Sequence, residues 1–173
     1  MIVRLLNRVA ILALLIVYLY ILVKVILFKF DTVDVAFLGE QLRRSIEDPG
    51  RVIERFRQGN FTPLVSINRN LDRLSNGNDF VNLIGNVAIF APLGFFIAAL
   101  SRKRFLRVLL GSFGVSLALE CAQMIFAMGR FDVDDLILNT AGGVLGLMLF
   151  YITPGRKRWL PGSSKKSGTS TFG

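Results

Sequence analysis

Four apolar runs, each long enough to cross a bilayer as a helix, dominate this sequence. They extend approximately over Val9–Phe28, Phe80–Leu100, Phe105–Met128 and Leu136–Thr153. Crossing a hydrocarbon core of about 30 Å takes roughly 20 helical residues. With 53% hydrophobic residues, the chain exceeds the apolar content of an ordinary soluble domain. The sequence therefore predicts an all-α, polytopic membrane helix bundle with four transmembrane helices.

The charges are distributed unevenly along the chain, whose formal net charge is +9. The basic segments 1–8, 101–107 and 154–173 contain no Asp or Glu. All 12 acidic residues lie within 31–79 or 120–135. Short segments rich in Lys and Arg stay on the cytoplasmic side. We therefore expect a multi-pass membrane protein with both termini cytoplasmic, and no nucleic acid partner.

Four regions follow from this topology. Residues 1–29 form an N-terminal transmembrane anchor, and residues 30–79 form an extracytoplasmic loop with amphipathic helices. Residues 80–153 form a three-helix transmembrane core. Residues 154–173 form a basic cytoplasmic tail whose Gly, Ser and Lys content predicts disorder.

The long loop has the signals of two short helices. Asp31 or Thr32 is expected to cap the first, whose apolar stripe is Val35, Leu38, Leu42 and Ile46. Asp48 followed by Pro49 is typical of the start of a second helix. These helices either pack as a lid on the bundle or lie on the outer leaflet.

Polar residues recur at helical spacing within the last three apolar runs. The stripes contain Asn82 and Asn86; Ser112, Ser116, Glu120 and Gln123; and Asp135, Asn139, Gly142 or Gly143, and Gly146. An ionisable side chain at the bilayer centre costs about 2.5–3.5 kcal/mol on insertion scales, so these faces should turn inward. They predict a polar pocket open to the outer side, or else hydrogen bonds that join the helices.

Several chemistries are excluded by composition. Cys121 is the single cysteine, so no internal disulfide can form, and the chain has no histidine. Histidine-based metal sites and serine triads are therefore ruled out.

The polar motifs together resemble those of the VanZ-like family. They read Asn82-x-x-x-Asn86-x-x-x-Phe90-x-Pro92-Leu93-Gly94-Phe95, Glu120-x-x-Gln123, and Arg130-x-Asp132-x-Asp134-Asp135-x-x-x-Asn139-Thr140-x-Gly142. The resemblance extends roughly from Phe61 to Ile152, and Phe61–Ser66 is similar to a divergent form of the family's Asn-Leu-x-Pro-Phe stretch. It implies a small bacterial integral membrane protein. The family's founding member is associated with resistance to the lipoglycopeptide teicoplanin.

We consider three functions. The first is a cell-envelope factor that binds a membrane lipid, a lipid-linked glycan or the acyl end of a lipoglycopeptide, without a cofactor or metal. Its expected ligand-binding residues are Asn82, Asn86, Glu120, Gln123, Arg130, Asp132, Asp135 and Asn139. In this hypothesis Arg130 engages an anionic headgroup, and Glu120 orients Arg130 or accepts from a hydroxyl.

The alternatives are an enzyme and a transporter. Carboxylate and amide oxygens could hold Mg²⁺ or Ca²⁺ for chemistry on a lipid-linked envelope substrate, at Glu120, Asp132, Asp134, Asp135 and Asn139. A transport pathway would need several copies of this chain, because four spans make a small transporter. The polar stripes also fade toward the cytoplasmic side, which favours a blind pocket over a channel. The sequence does not indicate an oligomeric state.

Overall fold

The computed structural model describes residues 2–28, 32–72, 77–101 and 103–154, and every regular element there is an α-helix. The helices are α1 Ile2–Phe28, α2 Val35–Glu47, α3 Pro49–Arg57, α4 Val65–Asp72, α5 Gly77–Leu100, α6 Arg104–Ile125 and α7 Val133–Ile152. The predicted all-α class is therefore confirmed. The predicted disordered tail lies outside the described residues, apart from Pro154.

Four helices are long and apolar enough to cross a membrane, as predicted. These spans are Leu5–Phe28, Leu83–Leu100, Arg104–Ile125 and Val133–Ile152. The third span ends earlier and the fourth begins earlier than predicted. The early start of α7 has a local cause, because Asp132 Oδ1 accepts from the backbone N–H of Asp134 at 2.9 Å and caps the helix.

Glycines bring α5 and α7 into backbone contact. A Cβ placed on Gly146 would lie 1.8 Å from the carbonyl oxygen of Ala91. A Cβ on Gly94 would lie 1.8 Å from the carbonyl oxygen of Gly143. These approaches leave no room for any side chain. The predicted close packing at Gly142-x-x-x-Gly146 therefore occurs, with α5 as the neighbour.

Helix α1 packs on the bundle through a narrow face. Ile11 and Leu22 are buried, whereas most of the other large apolar residues of α1 are exposed, as expected of a helix surrounded by lipid. The Tyr18 hydroxyl donates to the carbonyl oxygen of Ile89. Pro92, one turn further along α5, has no N–H for the helical ladder. The phenol therefore adds a donor beside the point where proline removes one.

Apolar side chains fill the bundle at three levels. The level nearest the α5–α6 turn contains Ile11, Ala98, Ala99, Val108, Leu147 and Phe150. The middle level contains Leu22, Phe90, Leu93 and Leu119, and the level at the opposite end contains Met124, Phe131 and Leu136. The short helices α2, α3 and α4 all lie at this last end, where α1 and α6 finish.

The two expected loop helices are present, with one correction each. Asp34 caps α2 by accepting from the backbone N–H of Phe37 at 2.9 Å, so the predicted cap at Asp31 or Thr32 was wrong. Helix α3 begins at Pro49 as predicted, but the Asp48 side chain forms no cap bond and instead accepts from Arg51. In both cases a local carboxylate satisfies a nearby donor, and the sequence alone did not decide which one.

Candidate functional site

The segment before α4 is joined to the start of α7 by backbone hydrogen bonds. The Asn60 N–H donates to the Phe131 carbonyl at 2.8 Å, and the Val133 N–H donates to the Asn60 carbonyl at 2.9 Å. This pair forms an isolated parallel bridge between Asn60 and Asp132. Residues more than 70 positions apart in the sequence are thereby fixed side by side, at the end of the bundle that the predicted topology places outside the cytoplasm. We call this contact between segment 60–67 and the start of α7 the junction.

Asp134 caps α4 from a distant part of the chain. It is fully buried, and its carboxylate accepts from the backbone N–H groups of Leu64, Ser66 and Ile67 at 2.6, 2.7 and 3.1 Å. These N–H groups belong to the first turn of α4 and the residue before it, and the first turn of a helix has no carbonyl partners of its own. Leu64, which directly precedes α4, has φ 70, an uncommon conformation for leucine. One buried charge thus fixes the whole turn.

Asp132 is the second carboxylate of this junction. Its Oδ1 accepts from Asn60 Nδ2 at 2.9 Å and from the Asp134 N–H at 2.9 Å. Its Oδ2 accepts from the Ser66 hydroxyl at 2.6 Å. Asp132 therefore caps α7 and holds both ends of segment 60–66 at the same time.

Glu120 supports this junction from below. It is 3% exposed, and its Oε2 accepts from the backbone N–H of Asp132 at 2.9 Å. The expected contact between Glu120 and Arg130 does not form. Arg130 is exposed, and the ion pairs of the described residues all lie in α2 or between Asp48 and Arg51. Glu120 bonds to the backbone N–H of Asp132 and not to a guanidinium, and the Arg130 side chain is exposed.

The remaining predicted site residues bond between helices. Asn86 Nδ2 donates to Asp135 Oδ1 at 2.6 Å and joins α5 to α7. Gln123 Nε2 donates to the Ile26 carbonyl at 3.2 Å and joins α6 to α1. Asn82 lies in α5, but its side chain is outside the described part of the structure. The polar faces do turn inward, and the described amides are engaged with the protein itself.

Deeper in the bundle, a narrow polar strip between α6 and α7 is only partly satisfied. Asn139 Nδ2 donates to the Ser116 hydroxyl at 2.8 Å. Among the described residues, three buried side-chain oxygens of this strip have no hydrogen-bond partner, namely Ser112 Oγ, Asn139 Oδ1 and Thr140 Oγ1. Ser112 lies against the backbone of Gly143, where a Cβ would approach its Oγ to 2.0 Å. Glycine at this position allows the hydroxyl to fit between the helices.

The carboxylates do not form an evident metal centre. Asp132 and Asp134 each accept three hydrogen bonds, so their lone pairs already face donors. Within the described residues, no group of three or more acidic or cysteine side chains is placed to hold a metal ion. A cation at this junction would have to displace the bonds that fix α4 and α7.

An open apolar groove runs along the outer surface of α6 and α7. It has a volume of about 300 Å³ and is lined by Phe113, Val133, Leu136, Ile137 and Thr140. From Val133 to Thr140 it follows roughly 10 Å of α7, at about 1.5 Å per residue. It is open to the outside of the bundle, on the same half of the bundle as the polar junction. The sequence predicted a polar pocket and gave no sign of this groove.

Comparison with known proteins places the chain in a family. The sequence profile of the VanZ/LLP1 family matches residues 15–154, which include the junction, the polar strip and the groove. The chain belongs to the VanZ/LLP1 family. The resemblance seen in the polar motifs is thereby confirmed.

One curated VanZ-family relative is similar over half its length. The chain is 39% identical to Protein VanZ of Enterococcus faecium over 88 residues, which is 47% of this chain and 51% of that protein. The match thus spans about half the length of the relative. No solved structure matches the chain.

Two residues of the VanZ-family junction were missed by sequence reasoning, Asn60 and Ser66. Both contact Asp132 through their side chains. Asn60 matches the Asn of the family's Asn-Leu-x-Pro-Phe segment, in which Pro63 is kept and Leu64 replaces the aromatic residue, and Ser66 ends the similar stretch. That resemblance was the available signal. The positions of both polar residues are explained by the Asp132 carboxylate, which they contact.

Proposed function

We propose that this VanZ-family protein is a cell-envelope factor that binds the acyl chain of a lipid, a lipid-linked glycan or a lipoglycopeptide. The observation that carries the proposal is the α6–α7 groove. Its walls are apolar, it is open to the outside of the bundle, and its length along α7 suits part of a hydrocarbon chain. An acyl chain that enters from the bilayer is already in an apolar medium, so its affinity for the groove comes from van der Waals contact with the groove walls.

Arg130 is the headgroup contact in this proposal. It is exposed and lies three residues before Val133, the first residue of α7 and part of the groove wall. A guanidinium at the mouth of the groove can bind a phosphate or carboxylate with two parallel hydrogen bonds. An amphiphile could therefore place its chain in the groove and its anionic group on Arg130.

Glu120 and Asp132 act as positioning residues in this arrangement. The hydrogen bond from the Asp132 N–H to Glu120 fixes the loop that carries Arg130. The side-chain nitrogens of Asn86, Gln123 and Asn139 already donate to neighbouring helices, so a ligand that accepts from them would compete with these bonds. Ligand binding by these predicted residues remains a prediction.

We further propose that the groove faces the outer leaflet of a bacterial cytoplasmic membrane. The basic segments 1–8, 101–107 and 154–173 would then be cytoplasmic, and the junction and groove would lie near the opposite surface. This is the side from which a lipoglycopeptide of the teicoplanin type approaches. Membership of the VanZ/LLP1 family supports a contribution to teicoplanin-type resistance.

The test fills the groove without changing the charge of the protein. Ile137→Trp places an indole in the groove, and Leu145→Trp is the matched control on the same helix, because the two residues are 39% and 40% exposed. Each variant is expressed in a teicoplanin-susceptible bacterium and is also purified for crosslinking by a lipid with a photoreactive acyl chain.

We expect wild type and Leu145→Trp to raise the inhibitory concentration of teicoplanin and to crosslink at the groove, and Ile137→Trp to lose both. A glycopeptide that lacks the acyl chain should inhibit all strains equally. Equal crosslinking of Ile137→Trp and Leu145→Trp would overturn the binding proposal. Crosslinking without any change in teicoplanin sensitivity would restrict the proposal to lipid binding.

A further inference from the structure

Helix α2 has three distinct faces. Successive helical residues are about 100° apart, so Val35, Leu42 and Ile46 fall within roughly 40° of one another. These three residues are 75%, 43% and 68% exposed, although all are apolar. Ser45 lies on a second face that contacts α6, and the charged residues occupy a third. The exposed apolar face is therefore separate from the face that packs on the bundle.

Helix α3 repeats this arrangement. Ile53 and Phe56 form its exposed apolar stripe, at 53% and 47% exposure. Arg55 lies on the face toward α6, while Glu54 and Arg57 lie on the far side. Two consecutive short helices thus leave large apolar side chains exposed, although the Phe56 ring also packs against the rings of Phe61 and Phe131.

Hydrogen bonds fix the depth of both helices relative to the membrane. The Ser45 hydroxyl donates to the Ile125 carbonyl at 2.7 Å, and Arg55 donates to the Met124 carbonyl at 2.9 Å. Met124 and Ile125 are the last residues of a membrane-spanning helix. A helix end with free carbonyls lies at the bilayer surface, where backbone groups can be satisfied. Helices α2 and α3 are therefore held at that surface.

The charges on α2 neutralise one another. Arg43 pairs with Glu40 at 2.9 Å and with Glu47 at 2.8 Å, and Arg44 pairs with Glu40 at 2.7 Å. The charged face consequently carries no excess of basic groups that would recognise anionic lipid. What remains unpaired on α2 is the apolar stripe.

We propose that α2 and α3 form an interfacial platform whose two apolar stripes, Val35, Leu42 and Ile46 on α2 and Ile53 and Phe56 on α3, insert among the outer-leaflet lipids beside the end of α6. The partner is the boundary between headgroups and acyl chains, since the platform is continuous with the lipid-facing surface of the spans. Insertion is driven by apolar area, so zwitterionic lipid suffices and salt has little effect. The proposal stands independently of the groove and of antibiotic resistance.

The test measures the membrane depth of single residues in the full chain. Cys121 is the sole cysteine, so Cys121→Ser gives a background for Ile46→Cys and Ile53→Cys, with Glu47→Cys as the neighbouring control. Each protein is labelled with an environment-sensitive fluorophore and reconstituted into phosphatidylcholine vesicles with brominated acyl chains.

We expect bromine quenching at positions 46 and 53 to be several-fold stronger than at position 47, and unchanged by high salt or by added anionic lipid. Quenching equal at all three positions would overturn the proposal. Shielding of positions 46 and 53 from both brominated lipid and aqueous iodide would also overturn it, in favour of a protein partner or second copy. If Ile46→Cys does not fold, Val35→Cys reports on the same stripe.

Discussion

Two polar regions of this bundle differ in how completely they are satisfied. At the junction of α4 and α7, Asp132 and Asp134 each accept three hydrogen bonds. In the strip between α6 and α7, the oxygens Ser112 Oγ, Asn139 Oδ1 and Thr140 Oγ1 are buried without partners. The junction contains formal charges and the strip contains none, yet the junction is the better satisfied of the two.

The difference shows that carboxylates at the end of a membrane helix bundle can hold two segments of the chain together. A buried charge is costly unless donors surround it, and backbone N–H groups at helix starts are the nearest supply. The acids at the start of α7 therefore connect two segments of the chain. Neutral groups tolerate incomplete pairing at a lower cost, which is why the unpartnered atoms lie deeper.

The largest effect on stability is expected for Asp134, whose carboxylate holds the start of α4 against α7. Asp134→Ala leaves three backbone N–H groups of the α4 start without their acceptor, and should destabilise the protein by about 3 kcal/mol or more. Asp34→Ala is the control, since it removes one exposed cap bond and should cost about 1 kcal/mol. Thermal unfolding in detergent measures both. Equal losses would show that the junction is no stronger than a surface cap.

A smaller loss is expected from the glycine contact that holds α7 against α5. Gly146→Ala places a methyl group 1.8 Å from a backbone oxygen, so the helices must separate at a cost of about 1–3 kcal/mol. At Gly114 a Cβ meets nothing within 4 Å, and Gly114→Ala should be neutral or stabilising by up to about 1 kcal/mol. Unfolding curves of the two variants that coincide would contradict this packing.

The partly satisfied strip predicts opposite results for two serines one helical turn apart. Ser116→Ala removes the acceptor of Asn139 and should cost about 0.6 kcal/mol, the average for hydrogen bonds between membrane helices. Ser112→Ala removes an oxygen that has no partner, and should be neutral or stabilising. Denaturant unfolding in mixed micelles separates these outcomes. A greater loss for Ser112→Ala would mean that its hydroxyl has a partner in solution.

The smallest effect concerns the exposed ion pairs of α2. Hydrogen bonds from Arg43 and Arg44 lower the pKa of Glu40 to about 2. Because the folded pKa is depressed, the contribution is present above the unfolded value of about 4.3 and is lost as the pH falls toward 2. Wild type should be slightly more stable than Glu40→Gln at neutral pH, and the two should converge at pH 2. A constant difference across this range would contradict the pairing.

Much of the fold follows from the sequence because its signals are local. The four apolar runs predicted the spanning helices, and the Asp48-Pro49 pair predicted the start of α3. The predicted start of α7 was three residues too late, because Asp132 caps the helix and the acidic residues that follow belong to its first turn. The end of a helix depends on which side chain pairs with its free backbone groups, and the sequence offered several candidate residues.

Helix α4 shows what the sequence could not supply. Its N-terminal donors are satisfied by Asp134, almost 70 residues away, and no neighbouring side chain signals that start. The same limitation applies to the site. The polar stripes predicted which faces turn inward, but whether Glu120 would meet Arg130 or a backbone N–H depended on the path of the α6–α7 loop. The apolar groove arises from the packing of two helices and has no motif.

The most direct test is a density map of the protein in native lipid, with a bound antibody fragment for alignment. We expect chain-shaped density along Phe113, Leu136 and Ile137, with a headgroup near Arg130, and the carboxylates of Asp132 and Asp134 bonded to segment 60–67. The contradicting result would be density between α5, α6 and α7 that contacts Asn86 and Glu120, together with broken hydrogen bonds at the junction. It would rule out both the groove as the binding site and the role of the junction carboxylates in joining α4 to α7.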